Sequence, residues 1–400
     1  MYNYTIRSVI DLNEKLKKFK YVKFLVNAFC FAFLIAFGGF VATKLPSQLY
    51  ELDFVYFFLS LAIILILFGL LFYIICFTSI IMHEFGHLLF GLNAKLTFIS
   101  FNILSFTFCI ENNKLKIKKE AKIPGVLGYC NMTTEKNKKY NKNSIKLYYM
   151  GGIIFNIILV FISIVLIIFT NNIYLKLIYI LNVGINIYLA INNAIPTITK
   201  SGVNTDALQI IYYSDDEEYI NTMSKLQMLQ ILLAKGCELK NIDNNLFSNP
   251  QTFKTNSDVL NAMLYVDYLS AKKQYKKASE YAKKILEEAQ EILSKKDIMT
   301  LKLQLMNCIF YSNDDLNQIK KIYDEEIKKY LDLMGKAVPV YIGISYMYST
   351  LIEKNEENSK KYLNQFRQLN KKNYDKYMIE EAEQLINDVN KKKEEENFEK

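Results

Sequence analysis

Four runs of apolar residues divide the first half of the chain. They cover 24–42, 54–91, 147–170 and 174–196, and each is long enough to cross about 30 Å of hydrocarbon as a helix rising about 1.5 Å per residue. The second run is the unusual one. From Phe54 to Ala94 its only charged residue is Glu84, and a helix of that length is about twice as long as the hydrocarbon core is thick. The pattern predicts a single crossing that bends near Gly69 or whose last turns leave the lipid. Two shorter spans would put the lysines that follow on the outer side, against the positive-inside rule.

The polar segments orient these runs. Arg7, Lys15, Lys17, Lys18, Lys20 and Lys23 precede the first, the segment 43–53 has Lys44 as its only cation, and the segment 114–146 is strongly basic. Lysine-rich segments stay in the cytoplasm, so the expectation is a multi-pass protein of the cytoplasmic membrane with both termini inside. The leader is polar and no A-x-A site follows it, which argues against a cleavable signal.

Between 95 and 132 the composition changes to aromatic and β-branched residues. Lys95 to Lys118 reads as strands, with Leu96 to Leu104 and Phe106 to Ile110 the clearest and Glu111-Asn112-Asn113 as a turn, and Val126 to Met132 reads as a further short strand. Such an insert is either a structural hairpin or an edge that holds an extended substrate by backbone hydrogen bonds.

From Ser214 onward the pattern is helical and soluble. Gln274 to Leu286 has the spacing of the second helix of a tetratricopeptide repeat and Leu260 to Ala271 supplies a first, with a weaker echo at Asp315 to Tyr323 and another first helix near Tyr341 to Tyr346. An ordinary amphipathic bundle is the other reading. The predicted fold is therefore mainly α. A polytopic membrane helical domain of about four spans with a small membrane-associated β insert occupies 1–213, and a soluble, repeat-like helical domain occupies 214–400.

Composition adds little to this division and removes two readings. Apolar residues make up 51% and charged ones 22%, which fits a membrane half joined to a soluble half. The net charge of +9 rests on 49 basic against 40 acidic residues in a chain also rich in Asn, Ile and Tyr, so it makes no case for nucleic acid. The six cysteines, Cys30, Cys76, Cys109, Cys130, Cys237 and Cys308, form no C-x-x-C pair and read as small buried hydrophobes.

The chemistry sits at the end of the long second run, in His83-Glu84-Phe85-Gly86-His87. These are the only two histidines in the chain. Four apart on a helix, they lie on one face and can converge on one ion. Zinc accepts two imidazoles and a carboxylate and leaves a fourth position for water, whose pKa falls to about 7. Glu84 lies beside that face as general base. An ionisable residue inside an apolar run is costly and points to function.

The last span carries Asn182, Asn186, Asn192 and Asn193 and is broken by Pro196. Irregular backbone at membrane depth survives where protein or water satisfies it. Asp206, a few residues past the break, is the expected third ligand, although an Asp after Asn-Thr is also a plain helix N-cap.

Together these motifs resemble the site-2 protease family of intramembrane zinc metallopeptidases over roughly residues 70 to 210. His83-Glu84-Phe85-Gly86-His87 matches its zinc helix, and Ile123-Pro124-Gly125-Val126-Leu127-Gly128-Tyr129 looks like the loop after its membrane-associated strands. Gly151-Gly152-Ile153-Ile154-Phe155-Asn156 is similar to its Gly-Pro-x-x-Asn element, and Asn193-Ala194-Ile195-Pro196 with Asp206 to its Asn-x-x-Pro and Asp-Gly. The resemblance implies Zn2+ bound by His83, His87 and Asp206, Glu84 as base, and Asn193 as a catalytic group that orients substrate or stabilises the oxyanion. Here Asp206 is followed by Ala207 and lies thirteen residues beyond Asn193, so Asp215, Asp216 and Asn204 stand as alternatives.

The leading expectation is a zinc metalloendopeptidase that cleaves in or near a transmembrane segment or a hydrophobic precursor peptide. Its partners are membrane lipid, that substrate, and a protein bound along residues 258–390. The rival is a non-catalytic membrane adaptor acting through the helical tail. A transporter is disfavoured by the lack of an inverted repeat.

Overall fold

The computed structural model describes residues 2–44, 53–111, 114–119, 126–133, 142–198, 203–215, 217–234, 237–312, 314–335, 337–370 and 376–398. Helix α1 (Tyr2–Ala42) continues without a break from the lysine-rich leader into the first apolar run. Helix α2 (Phe54–Asn93) is equally continuous and passes Gly69 as helix. Helices α3 (Lys142–Phe169) and α4 (Ile173–Ala194) follow as a tight pair. Asn172 caps α4, its carboxamide oxygen accepting from the backbone of Tyr174 and Leu175 at 2.9 and 3.2 Å.

These four helices are long and apolar enough to cross a membrane. Their outer faces leave Phe29, Phe58, Leu65, Phe161 and Phe169 more than half exposed. Water penalises such a surface and hydrocarbon does not. The chain is a multi-pass, mainly α membrane protein.

Between α2 and α3 stands an antiparallel sheet of β1 (Thr97–Ile103), β2 (Phe106–Glu111), β3 (Lys114–Lys119) and β4 (Gly128–Thr133), in the order β3-β2-β1-β4. Strand β3 completes the segment 95–118 that reads as strands, in the part that overlaps the basic segment 114–146 expected as a cytoplasmic loop. Its lysines alternate with Leu115 and Ile117 and the strand pairs with β2 along its whole length; the charge masked a period-2 pattern that suits an edge strand. Leu96, Cys130 and Met132 pack with Tyr148 into one buried cluster, which fixes the sheet against the end of α2 and the start of α3. Helix α3 begins before the apolar run because Ile145 is buried with Tyr219 and Ile220. The first part of the 123–129 motif, through Gly125, lies outside the described residues, as do Asp216 and Lys200.

Beyond the membrane helices, α5 (Asp206–Asp215) and α6 (Glu217–Ala234) lead to α7 (Asn256–Ala271), α8 (Tyr275–Glu288) and α9 (Lys295–Tyr311). Capping boxes at Thr255/Asp258 and Ser294/Asp297 start α7 and α9. Ala262 and Val266 of α7, Ala278 and Ala282 of α8, and Leu301 and Met306 of α9 meet in one buried core. α7 and α8 lie at the two helices expected of a first repeat. α10 (Asn317–Ile322) is a short six-residue helix after α9, so the second unit lacks an equal partner helix. α11 (Glu325–Met334), α12 (Pro339–Met347), α13 (Glu356–Asn370) and α14 (Lys376–Phe398) complete the helical part, and α12, α13 and α14 contribute Met347, Phe366 and Leu385 to the same core.

Candidate metal centre

The face of α2 that bears the histidines is buried because α3 comes close to it, and glycines make that approach possible. A Cβ on Gly151 would lie 2.5 Å from the Gly86 carbonyl oxygen, and one on Gly152 would lie 2.6 Å from Nε2 of both His83 and His87. Any larger side chain at those positions would force the helices apart.

His83 and His87 are 6% and 4% exposed, so neither imidazole can rely on water for a partner. Their Nε2 atoms lie 3.2 Å apart. Asp206, the first residue of α5, brings Oδ2 to 3.2 Å from His83 Nε2 and Oδ1 to 3.4 Å from His87 Nε2. Its position is set by pairing between residues 195–198 and residues 204–205. The Thr205 amide donates to the Thr197 carbonyl at 3.0 Å, the Thr205 hydroxyl accepts from the Thr197 amide at 3.0 Å and donates to the Ile195 carbonyl at 2.9 Å, and Ile198 bridges Asn204. Leu208, fully buried, anchors the first turn of α5.

The arrangement fits a cation. His87 Nδ1 lies 2.8 Å from the Tyr148 carbonyl oxygen; that oxygen can only accept, so the proton sits on Nδ1 and Nε2 of the neutral ring presents a lone pair. Two imidazole nitrogens and a carboxylate then face one another, and these three atoms lie within 4.8 Å of one another. Lone pairs so directed repel unless a positive ion lies among them. Two nitrogens and one oxygen form a donor set that suits zinc.

Glu84, 7% exposed, sits under β4. A Cβ on Gly128 would be 2.9 Å from Glu84 Cγ and 3.2 Å from its Oε1, so β4 packs directly on the carboxylate arm. The Tyr148 hydroxyl donates to the Cys130 carbonyl. The Cys130 carbonyl is thus tied to α3.

Asn193 stands at the last turn of α4, where its carboxamide donates to the Leu189 carbonyl of its own helix at 3.2 Å. It is not drawn into the group formed by His83, His87 and Asp206. Of the alternative ligands, Asn204 is held in the bridge to Ile198 and Asp215 lies at the far end of α5. Tyr148, Thr197 and Thr205 escaped the sequence reading. Tyr148 acts partly through its main chain, which leaves no trace in residue type, and two threonines near a proline look like any loop.

Such a chain is a membrane protein with an HExxH helix whose two imidazoles and one distant carboxylate converge in the C-terminal half of α2. A family model described as peptidase family M50 matches residues 71–351, and the chain belongs to that family of intramembrane metallopeptidases. No curated protein and no solved structure matches it.

Proposed function

We propose that this chain is a zinc-dependent endopeptidase of the cytoplasmic membrane that hydrolyses a peptide bond in or near a transmembrane segment or a hydrophobic precursor peptide. The observation that carries the reading is the convergence of His83, His87 and Asp206 beside Glu84 in a buried, apolar setting. Zinc held by those three residues supplies a Lewis acid and a nucleophilic water at neutral pH. Glu84 takes the proton from the attacking water and passes it to the leaving amine, and the close packing of Gly128 in β4 keeps its side chain oriented for both transfers. The His87 imidazole is fixed in one tautomer by the Tyr148 carbonyl. Asn193 turns from its own helix to the substrate carbonyl when substrate is bound, by analogy with the family.

Residues 1–213 form the peptidase domain with the N-terminus in the cytoplasm, and 214–400 form a cytosolic helical domain that binds a substrate or a protein partner along 258–390. The lysine distribution supports this orientation.

The test uses full-length protein purified in detergent and returned to vesicles with a panel of transmembrane peptides. Zinc content and cleavage are measured for the parent chain and for Glu84→Gln. About one zinc per chain in both, with cleavage in the parent alone, supports the reading. Equal cleavage by Glu84→Gln overturns the mechanism, and no zinc in either turns the reading to the adaptor.

A further inference from the structure

Helix α3 lays a stripe of residues against the histidine face of α2. Tyr148 meets His87 and Gly152 meets His83. One turn further on, the same stripe carries Asn156, so its carboxamide falls at the level between His83 and Ser79.

Asn156 is completely buried, and among the described residues neither its oxygen nor its nitrogen has a hydrogen-bond partner. Nδ1 of His83 is likewise buried and unpaired, and so is Oδ1 of Asn186 on α4. The atoms are complementary. When Nε2 of His83 faces the metal, Nδ1 carries the proton and needs an acceptor. Asn156 has an acceptor to give and a donor to place, and Asn186 has an acceptor to fill.

Beyond Asn186 the network is already formed. Its nitrogen donates to Ser79 Oγ at 3.0 Å and to Asn182 Oδ1 at 2.7 Å, and Asn182 donates to Ser163 Oγ at 2.7 Å. Polar side chains buried within a membrane bundle are retained either as glue between helices or for function. Glue alone does not explain a fully buried carboxamide left unpaired on the stripe of α3 that meets the histidines.

We propose that Asn156 is the positioning residue of His83. Its Oδ1 accepts the His83 Nδ1 proton, directly or across one buried water, and its Nδ2 donates to Asn186, so that α3 holds one imidazole through a side chain and the other through the Tyr148 carbonyl. Hydrogen bonds to the outer nitrogen fix the tautomer and orientation of a metal-binding imidazole. The inference rests on the reading of His83 as a metal ligand.

The two-histidine composition makes the test direct. Full-length protein labelled with 15N-histidine has only two imidazoles to report, and His87→Gln assigns them. Spectra are recorded with and without zinc for the parent, Asn156→Leu and Asn156→Asp, together with zinc affinity by chelator competition. In the parent, zinc shifts both rings. Asn156→Leu is expected to move His83 Nδ1, to leave His87 Nδ1 in place, and to weaken zinc binding roughly 10- to 100-fold. Asn156→Asp, which keeps an acceptor oxygen, is expected to return His83 Nδ1 toward the parent position. An unmoved His83 Nδ1 in Asn156→Leu, or equal movement of both rings as from a general loss of packing, overturns the proposal while the metal site stands. Zinc that shifts neither ring in the parent overturns the metal site itself and this proposal with it.

Discussion

The carbonyl oxygen of Tyr148 accepts a hydrogen bond of 2.8 Å from Nδ1 of His87, while the hydroxyl of the same residue donates to the carbonyl of Cys130. One residue of α3 thus touches a proposed metal ligand through its main chain and, through its side chain, the strand that packs on Glu84.

Tyr148→Phe separates those two contacts. The main-chain carbonyl and the ring remain, so zinc binding should stay near one per chain. The hydroxyl is lost, and a single hydrogen bond contributes about 0.5–1.5 kcal/mol. Cleavage should slow by up to about tenfold at unchanged zinc content. A variant that loses its zinc instead would show that the side chain supports the ligands and not the base.

Gly152→Ala should do the reverse. Its Cβ would come within 2.6 Å of both His Nε2 atoms, inside the space that the ion requires. Overpacking of this kind costs about 1–3 kcal/mol, and here the strain falls on the ligands. Zinc stoichiometry should drop sharply while the helical content by circular dichroism is kept. Gly38→Ala, where nothing lies within 4 Å, is the control and should bind zinc as the parent does.

The difference between these two positions shows what the sequence could and could not reveal. The four spans were legible because hydrocarbon demands length and apolarity together, and both are written in residue type. The pairing of His83 with His87 was legible because helical periodicity alone brings them to one face. Strand β3 was legible only as the tail of the segment 95–118, because its lysines also marked it as the start of a basic loop. Tyr148 was hidden because a backbone carbonyl is the same in every residue. The pairing that places Asp206 was hidden because it depends on Thr205 meeting Thr197 and Ile195, a contact no periodicity encodes.

The cysteines give a test of burial that is independent of zinc. All six are free thiols. Burial pushes the Cys308 thiol up to about 11 and raises that of Cys130 as well, so at pH 8 both remain protonated and shielded. Cys237 is exposed, which departs from the expectation of six buried hydrophobes. Brief treatment of the native protein with a polar maleimide should label Cys237 and spare Cys130 and Cys308, as read by peptide mass spectrometry; labelling of Cys308 at the rate of Cys237 would show that the core of the helical domain opens readily.

Thr205→Val tests whether the loop after Pro196 is what brings the carboxylate to the histidines. Valine keeps the shape of threonine and removes the hydroxyl, leaving the Thr197 amide and the Ile195 carbonyl without that partner in a loop where Thr197 is 2% exposed. A buried group left unpaired costs about 1–3 kcal/mol. Because the loop is tied to the rest of the chain at Asp206, that cost should appear as displacement of the carboxylate. Zinc affinity should therefore fall by roughly tenfold or more, whereas the two imidazoles, held by α2 and α3, keep their places. Excess zinc should restore cleavage to most of the parent rate, because the ligands themselves are intact. A variant that binds zinc as tightly as the parent would show that α5 positions Asp206 through Leu208 and its packing on α3 without help from the loop.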